Sequence, residues 1–245
     1  MKTTNIDGLD ISRLCLGGGK FEHLPTALAY PLIERALALG INLFDSHHRY
    51  GISEAILGNY CENPTVKIMT KVSAYKYNEN LMLVKNSLQT LQRIPDIMWI
   101  SDLDDKQLYN TGDKLYHELL ETKMFPRLGI TTESAGMGFM FLKQHPECKF
   151  FMIPYHPKSS PEMKDFALEL KRQDKYVFAI KPFNDGLSFM AKPCHVASVI
   201  TNTFHMIINE INPDVICFGT KNIAHCEETI KLFNDITGRM GNNGC

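Results

Sequence analysis

Short apolar or β-branched runs recur along the chain, and each is followed by a longer stretch whose apolar residues fall at helical spacing. The runs predict strands at Arg13–Gly17, Asn42–Ser46, Lys67–Lys71, Asp96–Ser101, Arg127–Thr131, Phe150–Tyr155, Val177–Pro182 and Asp214–Phe218. The intervening stretches predict helices over 26–39, 52–60, 79–92, 113–123, 133–144, 160–174, 196–210 and 223–237. Entry and exit signals fit this division: Pro25-Thr26 opens the first helix, Ser159-Ser160-Pro161 opens the sixth, and Gly40 and Gly238 follow the first and last. Eight strands, each with its own helix, imply a parallel sheet, because parallel neighbours need a crossover and a helix provides it. Eight such units close into a (β/α)8 TIM barrel, and a single barrel domain uses the whole of residues 1–245. A doubly wound open sheet is the structural alternative. It would require a glycine-rich turn of Gly-x-Gly-x-x-Gly spacing running straight into a helix, and Gly17-Gly18-Gly19 has neither.

Composition narrows the class of function. With 26 Lys and Arg against 27 Asp and Glu the net charge is −1, so no long-range field gathers nucleic acid or anionic lipid. No apolar run approaches a membrane span, and Met1-Lys2-Thr3-Thr4-Asn5 lacks the apolar core of a secretory signal, so the chain is expected to be cytoplasmic with neither a nucleic-acid nor a membrane partner. Seven cysteines, at 15, 61, 148, 194, 217, 226 and 245, include no Cys-x-x-Cys pair and read as reduced core thiols. A metal-dependent barrel would prefer His-x-His on its first strand and an acid closing its last. Cys15-Leu16-Gly17 and Cys217-Phe218-Gly219 stand there instead, so no metal site is expected.

In a barrel of this class the chemistry sits at the carboxyl ends of the strands. The second strand ends in Asp45 and Ser46, with His47-His48-Arg49-Tyr50-Gly51 after it, and the third ends in Lys71. An acid, a phenol and an amine converging there suit protonation of a carbonyl oxygen by tyrosine. Lys71 is expected to lower the Tyr50 pKa from about 10 by stabilising the phenolate, and Asp45 to keep Lys71 charged and fixed. Each residue also has an ordinary reading: a loop tyrosine often packs, and an Asp–Lys pair can simply satisfy a barrel mouth.

These residues sit in a segment, ALGINLFDSHHRYGISEAILG at 38–58, that resembles the GINxFDTAxxYGxSExxLG stretch of the aldo-keto reductases. Met69-Thr70-Lys71-Val72 is similar to the strand carrying that family's lysine, and Leu128-Gly129-Ile130-Thr131 to its IGVS strand. Phe218-Gly219-Thr220-Lys221-Asn222 through Glu227-Glu228 resembles its late GTRNxxHLEEN segment. The resemblance implies an NADPH-dependent (NADP) oxidoreductase that reduces an aldehyde or ketone, a small carbonyl substrate. Asp45, Tyr50 and Lys71 would be three members of a catalytic tetrad with Tyr50 as proton donor. It further implies that Gly219, Thr220, Lys221, Asn222 and Glu228 hold the adenosine and phosphate end, and that Thr131 and Thr132 serve the nicotinamide end.

The sequence also departs from the family pattern. Ser101 closes the fourth strand where the family has its fourth member, a histidine, so either Ser101 suffices, or His47 or His48 reaches in, or reduction has been lost. Met152 and Ile180 replace a carboxamide-holding residue and a stacking aromatic, with Trp99 and Tyr155 as candidate substitutes for the stack, and Thr229 stands where an asparagine is usual. Residues whose orientation toward substrate stays open are Lys20, Phe21, His47, Trp99, Tyr155, Phe183 and Phe189, while His156 and His195 read as surface histidines. Two other functions are therefore carried: a divergent barrel that binds nicotinamide cofactor or a metabolite as sensor or subunit, and a non-redox acid–base enzyme, a lyase or epimerase, using Tyr50 and Lys71. The sequence reaches Gly241-Asn242-Asn243-Gly244-Cys245 directly after the eighth helix, which predicts a pocket either open to bulky substrates or completed by a second copy in a homo-oligomer.

Overall fold

The structure is a computed structural model that describes residues 1–75, 77–190 and 195–242, so Cys194 and the stretch from Asn243 to Cys245 lie outside the described residues. Eight strands, β3 (Leu14–Gly17), β4 (Leu43–Asp45), β5 (Lys67–Ser73), β6 (Ile97–Ser101), β7 (Leu128–Thr131), β8 (Phe150–Pro154), β9 (Tyr176–Ile180) and β10 (Val215–Phe218), form a closed barrel, with β10 pairing β3. Every pair in it is parallel. The crossovers are α1 (Thr26–Ala38), α2 (Ser53–Gly58), α3 (Tyr77–Leu91), α4 (Lys106–Thr122), α5 (Ala135–Gln144), α6 (Pro161–Arg172), α7 (Leu187–Met190) with α8 (Val196–Ile211), and α9 (Ile223–Asn242) after the last strand. The fold class expected from sequence is the one observed.

Period-two alternation divides the core in two. Cys15, Leu43, Met69, Ile97, Trp99, Phe150, Met152, Phe178, Val215 and Cys217 point into the barrel. Their neighbours Leu14, Leu16, Phe44, Ile68, Val72, Ile100, Ile130, Phe151, Ile153 and Ile216 point outward into the layer under the helices. Trp99 fills the axis, with its ring edge-on to Phe178 at 5.0 Å, and this requires glycine at 129. A Cβ there would lie 2.7 Å from the Trp99 ring and 2.5 Å from the Phe150 carbonyl oxygen.

Several features depart from the expected elements, among them α9, which runs through Gly238 to Asn242 instead of ending before that glycine. Residues before Arg13 form an antiparallel hairpin, β1 (Thr3–Ile6) and β2 (Leu9–Ser12), whose turn residues Asp7 and Gly8 both have positive φ, as a tight hairpin turn requires. Ile6, Leu9 and Ile11 plug the inner core, while Arg127 and Lys149 bond Asp7, and Tyr176 accepts its backbone N–H. Those three partners lie at or just before the starts of β7, β8 and β9, so the hairpin closes the amino-terminal end of the barrel. In addition, α4 starts seven residues before the predicted 113, because the Asp105 carboxylate caps it by accepting from the N–H groups of Gln107 and Leu108. Cys15, Cys61, Cys148, Cys217 and Cys226 are free thiols, all but Cys61 buried.

Candidate active site

The inward positions that close β4, β5 and β6 bring Asp45, Lys71, Ser73 and Ser101 to one mouth. Lys71 Nζ donates to both Asp45 oxygens, and each residue is only about 5% exposed. Burial works against the Lys71 ammonium, but Asp45 and the Tyr50 phenol outweigh it and hold its pKa above the ordinary lysine value. Lys71 is thus kept charged and fixed by Asp45, as the sequence suggested.

Tyr50 sits in the turn between β4 and α2. Its N–H donates to the His47 carbonyl at 2.8 Å and its own carbonyl accepts the Ser53 N–H at 3.0 Å. Its ring lies 5.3 Å from Lys71 Nζ. The triple glycine explains how close the chain comes here. A Cβ on Gly19 would stand 3.3 Å from the Tyr50 ring, and one on Gly18 would overlap Ser53 Oγ, itself bonded to Ser46 Oγ at 2.8 Å. Gly17-Gly18-Gly19 therefore lets the short 3-10 helix Gly18–His23 lie against the turn that carries Tyr50.

One expectation about Tyr50 is corrected. The Lys71 charge is the largest single influence on its phenol and pulls the pKa down, but burial and the Asp45 carboxylate together outweigh that pull, and the pKa stands above the ordinary value. Burial and Asp45 both oppose the field of Lys71. The phenol is held as a protonated acid rather than primed as phenolate. Lys181, which closes β9 with a positive φ of 55° and pairs with Glu133 at 2.6 Å, adds a second cation acting on Tyr50.

The fourth-strand serine has a partner. His47 Nε2 lies 3.1 Å from Ser101 Oγ and 3.3 Å from Ser73 Oγ, with its ring 5.1 Å from that of Tyr50. The other ring nitrogen, Nδ1, accepts the Arg49 N–H at 2.9 Å. Burial, then the charges of Lys71, His48 and Arg49, push the His47 pKa down to about 2, so the ring is neutral. With Nδ1 accepting, the proton sits on Nε2 and points at the serines, and Ser101 Oγ in turn donates to the Val72 carbonyl. The backbone N–H of Ser73 points at His48 Nε2 from 3.5 Å. Of the two loop histidines, His47 is the one that reaches Ser101.

The loop is pinned from outside. Arg49 pairs with Asp102 at 2.7 Å, donates to Tyr75 Oη and lies over the Tyr75 ring at 5.0 Å. Asp102, directly after β6, holds a φ of 67°, a conformation unusual outside glycine. Sequence reasoning did not single out Ser73, Lys181 or the Arg49–Asp102 tie. The first was readable, since Met69, Lys71 and Ser73 share the inward face of β5.

The remaining candidates divide. Thr131 closes β7 at the mouth, while the Thr132 hydroxyl is taken up by its own loop, within 3.1 Å of the Leu103 carbonyl, an Asp104 oxygen and the Ser134 N–H. Thr132 therefore supports the β7 loop and has no free donor for a ligand. Gly219 and Lys221 are exposed, and Gly219 lies beside Lys20 and the Gly17 carbonyl. Thr220 Oγ1 accepts the Asn222 N–H, and Asn222 Oδ1 accepts the His225 N–H, capping the long helix α9, on which Glu228 is half-buried. The substitutes proposed for the stacking ring are both displaced. Trp99 is sealed inside the barrel and Met152 with it, whereas Tyr155 turns outward and donates to Glu210. Phe21 and Phe183 are likewise core residues, with Phe189 against Phe183, which leaves His47 and Lys20 of that group near the mouth.

The Aldo/keto reductase family model matches residues 13–122. Solved structures extend the likeness over nearly the whole chain. A Pseudomonas aeruginosa protein assigned provisionally as an aldo-keto reductase has 19% identity and a TM-score of 0.74, covering 96% of this chain and 95% of its own. An aldo-keto reductase from Bacillus halodurans in its holo form has 17% identity and a TM-score of 0.73, with 95% and 90% covered. One from Brucella melitensis has 17% identity and a TM-score of 0.74, with 95% and 93% covered. No curated protein sequence matches the chain.

Proposed function

We propose that this chain is an aldo-keto reductase, an NADPH-dependent oxidoreductase that reduces an aldehyde or ketone with Tyr50 as the proton donor; the family match over residues 13–122 and the shared barrel of the solved aldo-keto reductases support this reading. The observation that carries this reading is the convergence of Tyr50, the Asp45–Lys71 pair and the neutral His47 imidazole on one barrel mouth. A nicotinamide cofactor fits the residues present at its phosphate end. Gly17 and Gly219 offer a floor without side chains, Lys20 and Lys221 offer cations, and Thr220 and Asn222 lie at the amino terminus of a 20-residue helix. At the nicotinamide end Thr131 supplies a hydroxyl. When bound, the cofactor supplies the hydride.

The chain's own residues then divide the remaining work. Tyr50, held protonated, gives its proton to the carbonyl oxygen as negative charge develops there. Lys71, fixed by Asp45, stabilises the phenolate left behind. His47, beside Tyr50, is the neutral donor that orients and polarises the carbonyl: its Nε2–H rests on Ser101 and Ser73 and turns from them to the carbonyl oxygen when substrate enters. The cytoplasmic location expected from sequence accords with this reading.

The test is a fluorescence titration with NADPH and NADH, followed by loss of reduced-nicotinamide absorbance over a panel of aldehydes and ketones. Binding with turnover that Tyr50→Phe abolishes supports the proposal. Tight binding without turnover on any substrate would instead make the protein a cofactor sensor, and full activity in Tyr50→Phe would refute the mechanism.

A further inference from the structure

A second cluster of ligating side chains lies far from the mouth, on the outer helical layer. Asp113 and His117 stand one turn apart on α4, which brings them to the same face of that helix. His145 closes α5, its backbone N–H bonded to the Phe141 carbonyl. One ligand atom from each of Asp113, His117 and His145 can be chosen so that all three lie within 4.8 Å of one another. His145 Nε2 is 2.5 Å from Asp113 Oδ1, and the His117 and His145 rings are 4.8 Å apart.

The surroundings of His145 mark this as more than a surface ion pair. Its side chain is about 2% exposed, packed edge-on to Tyr116 at 5.0 Å and against Phe141 at 4.4 Å. Both of its ring nitrogens face carboxylates, Nε2 that of Asp113 and Nδ1 that of Glu147 at 3.2 Å. With a cation on Nε2 and the remaining proton on Nδ1, both contacts are met, and Glu147 becomes the outer carboxylate that fixes the tautomer of a metal-bound histidine. Asp113 is oriented in the same way, since its Oδ1 accepts from Gln144 Nε2 at 3.1 Å and Gln144 accepts from Tyr109 Oη at 2.8 Å. His117 is exposed, so the third ligand can swing in and the site opens to solvent.

We propose that Asp113, His117 and His145 form a zinc site that clips α4 to the carboxyl end of α5. Two imidazoles and one carboxylate, with a fourth position left to water, are the donor types and number that suit this borderline divalent ion. The ends of α4 and α5 lead into β7 and β8, at the barrel end opposite the mouth. The clip therefore contributes stability and leaves the chemistry alone.

The experiment takes the full chain after chelator treatment and titrates it with zinc chloride by calorimetry and with Co²⁺ by visible absorption. One equivalent should bind with the intense d–d bands of a four-coordinate site, and zinc at a hundredfold excess over its Kd should raise Tm by about 5 °C. His117→Ala, at an exposed position, should weaken binding by about tenfold or more and cut the Tm shift at that zinc concentration to about half or less. Asp113→Asn should weaken it similarly. Equal affinity in wild type and His117→Ala, or no binding by wild type, overturns the assignment.

Discussion

Replacing Lys71 by methionine removes a buried cation and leaves its partner behind. Asp45 is about 5% exposed, and its two oxygens accept from Lys71 Nζ, so Lys71→Met strands a carboxylate in a dry site. Breaking a buried pair in this way costs about 3–5 kcal/mol, whereas replacing both partners is close to neutral. For a chain of this length each kcal/mol moves Tm by about 2 °C, so Lys71→Met should melt about 6–10 °C below wild type. Asp45→Asn/Lys71→Met should recover most of that loss. The deficit also depends on pH in a defined direction. Burial already raises the Asp45 pKa against the pull of Lys71, and without that pull it rises further. A carboxyl with a raised folded-state pKa favours the folded state below its unfolded value and loses that advantage as pH rises through the folded pKa. The Lys71→Met deficit should therefore be small near pH 4 and grow toward pH 8. Fluorescence of Trp99, the single tryptophan, reports the melt from inside the barrel. If Lys71→Met and the double variant melt together at every pH, Asp45 is not stranded and the dry-pair reasoning fails.

Tyr50→Phe should reduce turnover by a factor of about 10² or more while leaving cofactor affinity and the Trp99 melt unchanged, as checked by binding titration and thermal scans. His47→Ala should lower kcat/KM by about 10²–10³, the loss expected for one donor at a developing oxyanion, and Ser101→His added to it should restore part of that loss. Because the His47 pKa is depressed to about 2, the pH profile of kcat/KM should show no break near 6.5; a break there that vanishes in His47→Ala would place the proton on the ring and refute the neutral donor. The same depression means that stability is fully present above the unfolded value of about 6.5 and declines as pH falls toward 2, which acid melts of wild type and His47→Ala can separate. Gly129→Ala, which drives a methyl into Trp99 and the Phe150 carbonyl oxygen, should cost about 1–3 kcal/mol and shift the Trp99 emission; an unchanged melt would show that the barrel axis is loosely packed.

The eight strands were legible because both faces of a barrel strand are buried, so runs such as Ile97–Ser101 and Phe150–Pro154 are nearly continuous in apolar residues. The start of α4 was less so, since Asp105 stands in the acidic stretch Asp102-Leu103-Asp104-Asp105, where a cap and a solvated loop look alike. The hairpin leaves a mark in Asp7-Gly8 between Ile6 and Leu9, but it lies outside the repeating barrel pattern, which begins at residue 13. At the site, Asp45, Tyr50 and Lys71 are carried by a local motif and by the inward parity of β4 and β5. The position of Trp99 follows from parity too: Ser101 faces inward at the mouth, so Trp99, two residues earlier, faces inward one layer deeper. Tyr155 is one residue beyond the inward Pro154 and turns out toward Glu210. The contact of His47 with Ser101 was not legible, because it joins a loop after β4 to the end of β6 across β5, a distance that only the closed barrel sets.

That contact bears on how acid and electrophile stay distinct in a small dry mouth. A second cation beside Lys71 would face it without water to screen the repulsion, and this, added to burial, is what keeps His47 neutral. A neutral imidazole can offer an N–H to a carbonyl oxygen but cannot give up that proton, since the anion it would leave is far less stable than a phenolate beside Lys71. Tyr50 meets the opposite condition. Burial and Asp45 keep it protonated in the resting site, and Lys71 lies 5.3 Å from its ring to receive the negative charge when the proton leaves. On the proposed mechanism the roles are therefore assigned by environment rather than by residue type. On the proposed mechanism a histidine supplied from the β4 loop can do what one on β6 would do, provided the Arg49 N–H keeps its Nδ1 and its Nε2–H passes from Ser101 and Ser73 to the carbonyl oxygen. It follows that Ser101→Ala should act through His47, loosening the ring and raising KM more than it lowers kcat, whereas removal of the imidazole itself lowers kcat. Equal effects of the two variants on kcat would mean that Ser101 touches the substrate directly.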